Sequence, residues 1–439
     1  MSSEQRGNAI GIYIANTLIG TVGNNEFIHK QSRTKPILTG GNKVAAIAIG
    51  SDVCCGFGHI VKNKILSPLS GNGDVYGIAV AGEGGGHINR NQFGSPEVNN
   101  DMLVGVNNIA AINVDSIASD GEVKQNRYFG KIRSTGQASV ENGKLSTSAG
   151  YIASGSVKGA IVNNDFTGTI ESLGSSYGVS ITGSLTSALS HYDFYAFDDD
   201  QEFIIKGAEA RGLFISSIEE GGVVSNNTFA KKIIADIANT DYVNRAAIGI
   251  NINSSIQKDS QIKDNTFAGI IAGNAIESAN AAGILISGSN AGDVLGNIFN
   301  GAIQSGTAAE FSQAVGIMTI GSLTNTGAIL DNLFLTDATI LAGAVTGAEA
   351  FKSEAAGVLI LGDIAGLIKE NQFNGVITTG SGGRYSRAGG IVTNGNLTEQ
   401  GKVISNEFTG AITSNGTGEH SDAFGVRVDN SMNGTIANN

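Results

Sequence analysis

The sequence predicts an all-β fold, a single parallel β-helix whose chain winds through about 13 stacked coils of about 35 residues. Three observations predict this solenoid. An Asn-x-aromatic phrase recurs along the chain, apolar and polar residues alternate before it, and a small residue followed by an apolar one opens a second run in each repeat. The composition agrees, because 63 Gly, 3 Pro and no Trp in 439 residues are unusual for an ordinary globular chain.

The first element of each repeat is the anchor residue that ends the phrase. It is aromatic in all repeats but one, and successive anchors are 28 to 39 residues apart, which is typical of stacked supersecondary units. The anchors are Phe27, Ile65, Phe93, Tyr128, Phe166, Phe194, Phe229, Phe267, Phe299, Phe334, Phe373 and Phe408.

The second element is an Asn two residues before the anchor, replaced once by Tyr192. Stacked amides donate and accept along a column, and Asn tolerates a left-handed backbone, so we expect these residues to form a ladder at a bend. We expect Asn438 to begin a thirteenth unit. The predicted ladder residues are Asn25, Asn63, Asn91, Asn126, Asn164, Asn227, Asn265, Asn297, Asn332, Asn371 and Asn406.

Two short strands are predicted in each coil. One ends near the ladder and shows the inside-outside alternation of a strand. The other opens with a pair such as Gly283-Ile284, and its glycine is expected where the backbone turns a corner. Because no helical stretch separates them, each strand must pair with its copy in the next coil. Each buried anchor Phe then contributes roughly 1.5–3 kcal/mol through area removed from water.

The length of the repeat varies on one side only, between the anchor and the next small-apolar pair. Every third such segment is the longest, which indicates repeated three-coil blocks within a single domain, 1–439. The blocks are 12–111, 112–212, 213–316 and 317–425, with an incomplete last coil at 426–439. The long segments 28–45, 129–149, 230–248 and 335–356 would form a row of loops, either drifted after duplication or used as a binding face.

Charge and hydropathy disfavour several classes of protein. A net charge of −12 with 15% charged residues argues against a nucleic-acid binder, which needs Lys and Arg to neutralise phosphates. No run of about 18 apolar residues predicts a membrane-inserted helix, and the first residues lack the pattern of a secretory signal. The adjacent Cys54 and Cys55 lack the spacing of a zinc site and are interpreted as small packed side chains, with a strained vicinal disulfide or a redox role as the alternative.

The pattern Gly-Ile-x-Ile-x-Gly followed by Ile-x-x-Asn-x-Phe-x-Gly, at residues 283–301 and 390–410, resembles the repeat of right-handed parallel β-helix proteins, the pectate-lyase-like superfamily. That architecture carries polysaccharide lyases and hydrolases, phage tailspikes, and the passengers of bacterial autotransporters and adhesins. The resemblance to passenger stalks implies an extracellular or bacterial cell-surface location.

Residues able to do chemistry are few. Asn239-Thr240-Asp241 and Asp198-Asp199 are similar to two polygalacturonase motifs, but they stand in reversed order and the remaining motifs do not follow. The sequence therefore predicts no catalytic residue, no enzyme and no cofactor.

Two metal-site hypotheses arise from the alignment. His59, His87 and Glu122 stand four residues before successive ladder positions, which would place three possible ligands in one outward column about 4.8 Å apart. The other is the acidic stretch with Asp198, Asp200 and Glu202, whose carboxylates suit Ca²⁺ or simply a solvated loop.

The open strand edges of a solenoid recruit other chains unless they are capped. We therefore expect an extended structural or adhesive surface or secreted protein that is not catalytic. Its partners would be a glycan or protein on a host or neighbouring cell, or copies of itself joined end to end as a filament. The alternative function is a polysaccharide lyase or hydrolase, which requires Asp, Lys and Arg to converge in a groove.

Overall fold

The computed structural model describes residues 7–29, 32–54, 56–97, 100–136, 146–195, 204–235, 244–275, 277–308, 310–346, 352–381 and 384–439, and it contains no helix within these ranges. Accordingly, no helix in the described part of the chain is long and apolar enough to cross a membrane. The chain divides into two compact units, Met1–Ala208 (unit 1) and Glu209–Asn439 (unit 2). This boundary lies close to the predicted block boundary at 212/213.

Unit 1 has three parallel sheets, and each coil contributes to all three. Sheet 1 contains the long strands β1 (Ala9–Ile14), β5 (Lys43–Ile49), β9 (Asp74–Glu83), β13 (Asn108–Ser116), β17 (Thr147–Ala153) and β20 (Ser175–Leu185). Sheet 2 contains β2 (Thr21–Gly23), β3 (Glu26–Phe27), β6 (His59–Val61), β7 (Lys64–Ile65), β10 (His87–Asn89), β11 (Gln92–Phe93), β14 (Glu122–Lys124), β15 (Arg127–Tyr128), β18 (Ala160–Phe166) and β21 (Ala188–Phe194). Sheet 3 contains β4 (Leu38–Gly40), β8 (Leu69–Gly71), β12 (Asp101–Gly105), β16 (Lys131–Ser134), β19 (Thr169–Glu171) and β22 (Ile204–Gly207).

Unit 2 repeats this arrangement. Its sheet 1 contains β23 (Glu209–Ile218), β27 (Asn244–Ile252), β31 (Ser278–Ile286), β35 (Phe311–Thr319), β39 (Lys352–Ile360), β43 (Tyr385–Thr393) and β47 (His420–Val428). Sheet 2 contains β24 (Val223–Ser225), β25 (Thr228–Phe229), β28 (Gln261–Lys263), β29 (Thr266–Phe267), β32 (Asp293–Leu295), β33 (Ile298–Phe299), β36 (Ala328–Leu330), β37 (Leu333–Phe334), β40 (Leu367–Lys369), β41 (Gln372–Phe373), β44 (Lys402–Ile404), β45 (Glu407–Phe408) and β48 (Thr435–Ala437). Sheet 3 contains β26 (Lys232–Ala235), β30 (Ile271–Gly273), β34 (Ala302–Ser305), β38 (Thr339–Ala342), β42 (Val376–Thr379) and β46 (Ile412–Thr413).

Strands pair in parallel with the equivalent strand one coil later. In sheet 1 of unit 2, Ile250 is paired with Ile284, and Ile284 with Ile317. These side chains are fully buried, so each apolar column becomes a continuous core between the sheets. The predicted all-β parallel solenoid with a period of about 35 residues is therefore confirmed.

The segment between the anchor and the next small-apolar pair is not simply a loop, and the prediction of two strands per coil was wrong in this respect. Sheet 3 runs through it, and its residues Ile303 and Ile340 are paired in register and buried. A run of three or four residues gives too weak an alternation to be recognised within a segment of variable length. The predicted row of long loops falls partly outside the described residues.

The Asn ladder is confirmed in both units. In unit 2, Nδ2 of each ladder Asn donates to Oδ1 of the next at 2.8–2.9 Å, from Asn227 to Asn439. The backbone N–H of the same residue donates to that oxygen as well, at 3.0–3.1 Å. In unit 1 the ladder from Asn25 to Asn164 has amide-to-amide distances of 2.8–3.0 Å.

The left-handed conformation was predicted at the ladder residue, but in the structure the residue before it adopts this conformation. These preceding residues have φ between 52° and 63°, and they are Asn24, Lys62, Arg90, Gln125, Asn163, His191, Asn226, Asp264, Gly296, Asp331, Glu370, Ser405 and Asn438. The exposed corner takes the strained conformation, and the buried Asn closes the hydrogen bonds behind it. The ladder residue near the end is accordingly Asn439, and the assignment of Asn438 was one residue early.

The glycine before each apolar residue of sheet 1 makes room for the anchor ring and does not turn a corner. A Cβ on Gly283 would lie 2.4 Å from Cε1 of Phe299 and 2.7 Å from the carbonyl oxygen of Gly316. The rings of unit 2 stack with centroids 4.4–5.1 Å apart and interplanar angles up to 16°. In unit 1, Ala111 replaces the glycine beside Tyr128, and that ring is tilted by about 30° from its neighbours.

Unit 1 contains two buried hydroxyl groups without a hydrogen-bond partner among the described residues, those of Tyr128 and Tyr151. Both side chains line a cavity of about 10 Å³ inside the solenoid. Burial raises the pKa of both phenols. Tyr192, which replaces a ladder Asn, stacks on Phe166 at 5.6 Å.

The interpretation of Cys54 as an unmodified packed side chain was wrong. Cys54 is disulfide-bonded, and the only other cysteine, Cys55, lies outside the described residues. A disulfide was the alternative considered for these residues, and the sequence alone did not favour it over packed thiols.

Candidate functional site

The outward face of sheet 1 in unit 2 carries a column of polar and charged residues. Gln313 is paired with Glu354, Glu354 with Arg387, and Arg387 with Asp422, each one coil after the other. Their register follows from the fold, since each of the four stands three residues before the sheet 1 glycine of its coil. The column therefore continues through β35, β39, β43 and β47.

Glu354 is the centre of this network and is fully buried. Nε of Arg387 donates to its Oε1 at 2.6 Å, and Nη2 of Arg387 bonds to the same oxygen. Nζ of Lys352 and Nε2 of Gln313 both lie 2.8 Å from its Oε2. Both oxygens of the carboxylate are thus occupied by charge-assisted hydrogen bonds, which are about twice as strong as neutral ones.

Arg387 also links this carboxylate to the next coil. Its Nη1 lies 2.5 Å from Oδ2 of Asp429, and its Nη2 donates to Oδ1 of Asn394 at 2.8 Å. Arg427 bonds to Asp429 from the other side and lies 3.2 Å from Asp422. The guanidinium of Arg387 therefore joins two acidic side chains on different coils.

The pKa directions follow from these contacts. Burial alone would raise the pKa of the Glu354 carboxyl, but the charges and hydrogen bonds of Lys352 and Arg387 outweigh burial and lower it. Burial lowers the pKa of Lys352 against the opposing charge of Glu354. For Asp429 the hydrogen bonds and charges of Arg427 and Arg387 outweigh burial, so its pKa is lowered. Both carboxyl groups are therefore ionised at neutral pH.

An apolar groove adjoins the network on the same face and has a volume of about 420 Å³. Successive side chains along a strand point to opposite faces of the sheet. Leu285 and Met318 therefore lie on the outward face, whereas Ile284 and Ile317 point into the core. Ile320, exposed by 43%, extends the apolar surface toward the rim. The groove is lined by Ala246, Ile248, Asn280, Ala281, Ala282, Leu285, Phe311, Gln313, Met318, Ile320, Lys352, Glu354, Leu361 and Asn394.

Aromatic side chains border the charged end of this face. Tyr385 and His420 are paired in register and stack with centroids 5.1 Å apart and planes 2° from parallel. The guanidinium of Arg384 lies over the ring of Tyr385 at 5.5 Å. Tyr385 is 39% exposed, so its ring is accessible beside the network.

The structure brings the predicted His59, His87 and Glu122 into one column. The two imidazoles stack with centroids 5.0 Å apart, and Nδ1 of His87 lies 3.1 Å from Oε2 of Glu122. The same oxygen contacts Nζ of Lys124 at 2.5 Å, and the hydrogen bond from Lys124 lowers the pKa of Glu122. Oε2 of Glu122 is thus committed to an imidazole and an ammonium.

Neither metal hypothesis gains support. Within the described ranges, no group of three or more His, Cys, Asp or Glu side chains is arranged to hold a metal ion. Asp198, Asp200 and Glu202 lie outside the described residues, so the calcium hypothesis stays a prediction.

Sequence reasoning missed the network around Glu354 entirely. The signal was present, because the position three residues before the sheet 1 glycine changes from Gln to Glu to Arg to Asp over four coils. Alternating opposite charges at one structural position are a signature of cross-coil pairing, since equivalent residues in stacked coils are directly opposite each other.

Comparisons of the chain with protein-family models, curated proteins and solved structures give no significant match. The parallel β-solenoid therefore rests on the sequence pattern and the structure, and the resemblance to the pectate-lyase-like superfamily and to autotransporter passengers stays a prediction.

Proposed function

We propose that this chain is a non-catalytic solenoid scaffold that binds a partner across the outward face of sheet 1 in unit 2. The observation that carries the proposal is the apolar groove of about 420 Å³ that ends at a fixed set of polar groups. Concave sites lined by apolar side chains with a few convergent polar groups are the usual form of ligand sites. The fitting partner is a glycan or protein on a host or neighbouring cell, with an apolar surface and a hydrogen-bonding edge.

The state of Glu354 supports binding over catalysis. A general acid at neutral pH needs a raised pKa and access to the reacting group. The pKa of Glu354 is lowered instead, and the carboxylate is fully buried beneath Arg387 and Lys352. These bonds fix the end of the groove in one geometry, which favours recognition because less side-chain freedom is lost on binding.

A polysaccharide lyase or hydrolase is the second candidate, and one observation favours it. Lys352, Arg387 and Asp429 converge within one network beside a groove, and such convergence is what this alternative requires. An extracellular or bacterial cell-surface location accords with either function, and the resemblance of the repeat to passenger stalks is its support.

A groove variant tests the binding role. Ile320→Asp places a charge in the apolar rim without touching the core, and we expect it to weaken binding to an immobilised panel of neutral and acidic glycans by about tenfold or more. Val376→Asp is the matched control, since Val376 is 38% exposed on sheet 3 of the same unit. Equal binding by wild type and Ile320→Asp would contradict the groove as the site.

The same panel separates the two candidate functions. The scaffold role predicts that no unsaturated product or new reducing end accumulates with any polyuronate. Product formation by the wild-type chain that disappears in Lys352→Met would favour the enzyme instead.

A further inference from the structure

The corner between the two short runs of sheet 2 carries two columns of side chains that are exposed or half-buried. One is formed by the left-handed residue before each ladder position and the other by the residue after it, and together they are called the corner columns here. Such positions face solvent in both units. Their charges differ between the units in a systematic way.

The corner columns of unit 1 are basic over three successive coils. They contain Lys62, Lys64, Arg90 and Arg127, all exposed, with only Gln92 and Gln125 between them. Lys64 is paired in register with Gln92, and Gln92 with Arg127. Arg90 donates to Oε1 of Gln125 at 2.9 Å. We call these four residues the cationic corner.

The cationic corner borders a depression with a volume of about 650 Å³. Its lining is formed by Arg90, Asn91, Gln92, Gln125, Arg127, Asn163 and Asp165. None of these side chains is apolar or aromatic, so the depression offers neither a hydrophobic hot spot nor a stacking platform. Recognition at this place must rest on charge and hydrogen bonds.

The same columns of unit 2 are acidic. Asp331, Glu370 and Glu407 occupy three successive coils, with Asp264 two coils before them, and all four are exposed. No Lys or Arg stands in these two columns of unit 2. Lys369, in the neighbouring column, contacts Glu370 at 2.9 Å. We call these four residues the acidic corner.

Each corner stacks one pair of like charges on adjacent coils about 4.8 Å apart, Lys62 with Arg90 and Asp331 with Glu370, which is unfavourable without a counter-charge. Within the described residues, Lys62, Lys64, Asp331 and Glu407 form no ion pair. Arg127 lies 3.4 Å from Asp165, and Glu26 is the register partner of Lys64, so part of the cationic corner has a counter-charge within unit 1. Further opposite charges are available on another copy of the chain. Unit 1 has 15 Lys and Arg against 18 Asp and Glu, whereas unit 2 has 12 against 21, and the two corners account for this difference.

We propose that the cationic corner of one copy binds the acidic corner of a second copy. Both corners are built on the same two columns of the same repeat, so their charges are spaced by the same coil-to-coil distance. Three successive basic coils therefore match three successive acidic coils. An unrelated anion has no reason to share this spacing, which is why the chain itself is the partner that the structure favours.

The expected association is weak and depends strongly on salt. Exposed ion pairs contribute little individually, and complementary charge mainly affects orientation and the rate of encounter. Screening between exposed charges is substantial above about 0.1 M salt. This inference extends the proposed scaffold role to self-association, but it uses a face other than the groove, so failure of groove binding would leave it intact.

Sedimentation velocity of the full chain at 20 and 300 mM salt is the test, over a concentration series. We expect wild type to associate at low salt and to dissociate at high salt. Lys62→Glu with Arg90→Glu, and separately Asp331→Lys with Glu370→Lys, should each weaken association by about tenfold or more. An equimolar mixture of the two reversed variants should associate through the corners left unchanged, and a chain carrying all four reversals should associate with itself again.

Lys158→Glu and Asp259→Lys are matched controls, since both residues are exposed and lie outside the corner columns. They should leave the association constant within about twofold of wild type. A wild-type chain that stays monomeric at low salt overturns the proposal. This holds even if the cationic corner binds an added polyanion such as heparin. Failure of the fourfold reversal to restore association, with an unchanged circular dichroism spectrum, overturns it as well.

Discussion

Replacement of one ladder amide in unit 2 should destabilise that unit strongly. Asn297→Ala removes an Oδ1 that accepts from the backbone N–H and from Nδ2 of Asn265, at 3.1 and 2.9 Å. It also removes an Nδ2 that donates to Oδ1 of Asn332 at 2.9 Å and to the carbonyl of Ile262 at 3.0 Å. Four hydrogen bonds are therefore lost from a fully buried position.

The magnitude follows from these four bonds. A typical intramolecular hydrogen bond contributes about 1 kcal/mol net, so their loss lowers the free energy of unfolding by about 4 kcal/mol. The backbone N–H of Asn265 is then left buried without an acceptor, which makes this figure a lower bound. Since domains are stable by only about 5–15 kcal/mol, the effect should be evident in any unfolding assay.

Urea unfolding followed by far-UV circular dichroism measures the effect, because the chain has no Trp. The matched control is Asn253→Ala at an exposed position of the same unit, which should shift the free energy by no more than about 0.5 kcal/mol. A loss below about 1 kcal/mol for Asn297→Ala, comparable to the control, would refute the view that the ladder holds the coils together.

Three further predictions concern the core and the charged network. Gly283→Ala should destabilise unit 2 by about 1–3 kcal/mol because its Cβ would overlap Phe299, whereas Gly20→Ala, with no atom near its Cβ, should be close to neutral in the same thermal unfolding assay. Tyr151→Phe should leave stability unchanged or raise it by about 1 kcal/mol, as calorimetry would show, because its buried hydroxyl has no partner among the described residues. The pKa of Glu354 is lowered in the folded state, so its ionised carboxylate stabilises the fold at pH values above the pKa of the unfolded state. This stabilisation is lost as the pH falls through the pKa of the folded state. Unfolding curves from pH 7 to 3 should therefore show wild type losing its advantage over Glu354→Gln below about pH 4.5, and a constant gap would contradict the ion pairing.

The repeat made most of the fold predictable from the sequence. The ladder from Asn227 to Asn406 and the stack from Phe229 to Phe408 recur at fixed positions, and residues at one position of a stacked repeat must meet their copies. The role of the glycine at position 283 could not be read in this way. A glycine is required there because the ring of Phe299 packs against it. This contact forms only in the folded coil, so the residues next to the glycine in the sequence do not reveal it.

The left-handed corner was placed one residue late because propensity pointed to Asn. In the structure Lys62, Arg90 and Glu370 take this conformation although such side chains adopt it rarely. The hydrogen bonds of the ladder amide that follows hold the backbone of the preceding residue in the left-handed conformation. Tertiary contacts therefore override the local preference on which the prediction relied.

The candidate site was predicted least well, because its parts are unremarkable in sequence. Glu354 and Arg387 are 33 residues apart, and only the register of β39 with β43 brings them together. The predicted column of His59, His87 and Glu122 shows the opposite outcome. Register was predicted correctly there, but the two imidazoles stack on each other and Lys124 competes for the carboxylate of Glu122.

Native-state hydrogen exchange of the backbone amides of Asn265, Asn297, Asn332 and Asn371 tests most directly whether the coils are joined through the ladder. Each of these N–H groups donates to a side-chain oxygen of the next coil and is buried. We expect them to exchange only through global unfolding of unit 2, and Asn297→Ala to accelerate exchange at Asn265 first. Exchange of these amides as fast as that of exposed turns would contradict the ladder as the bond between coils.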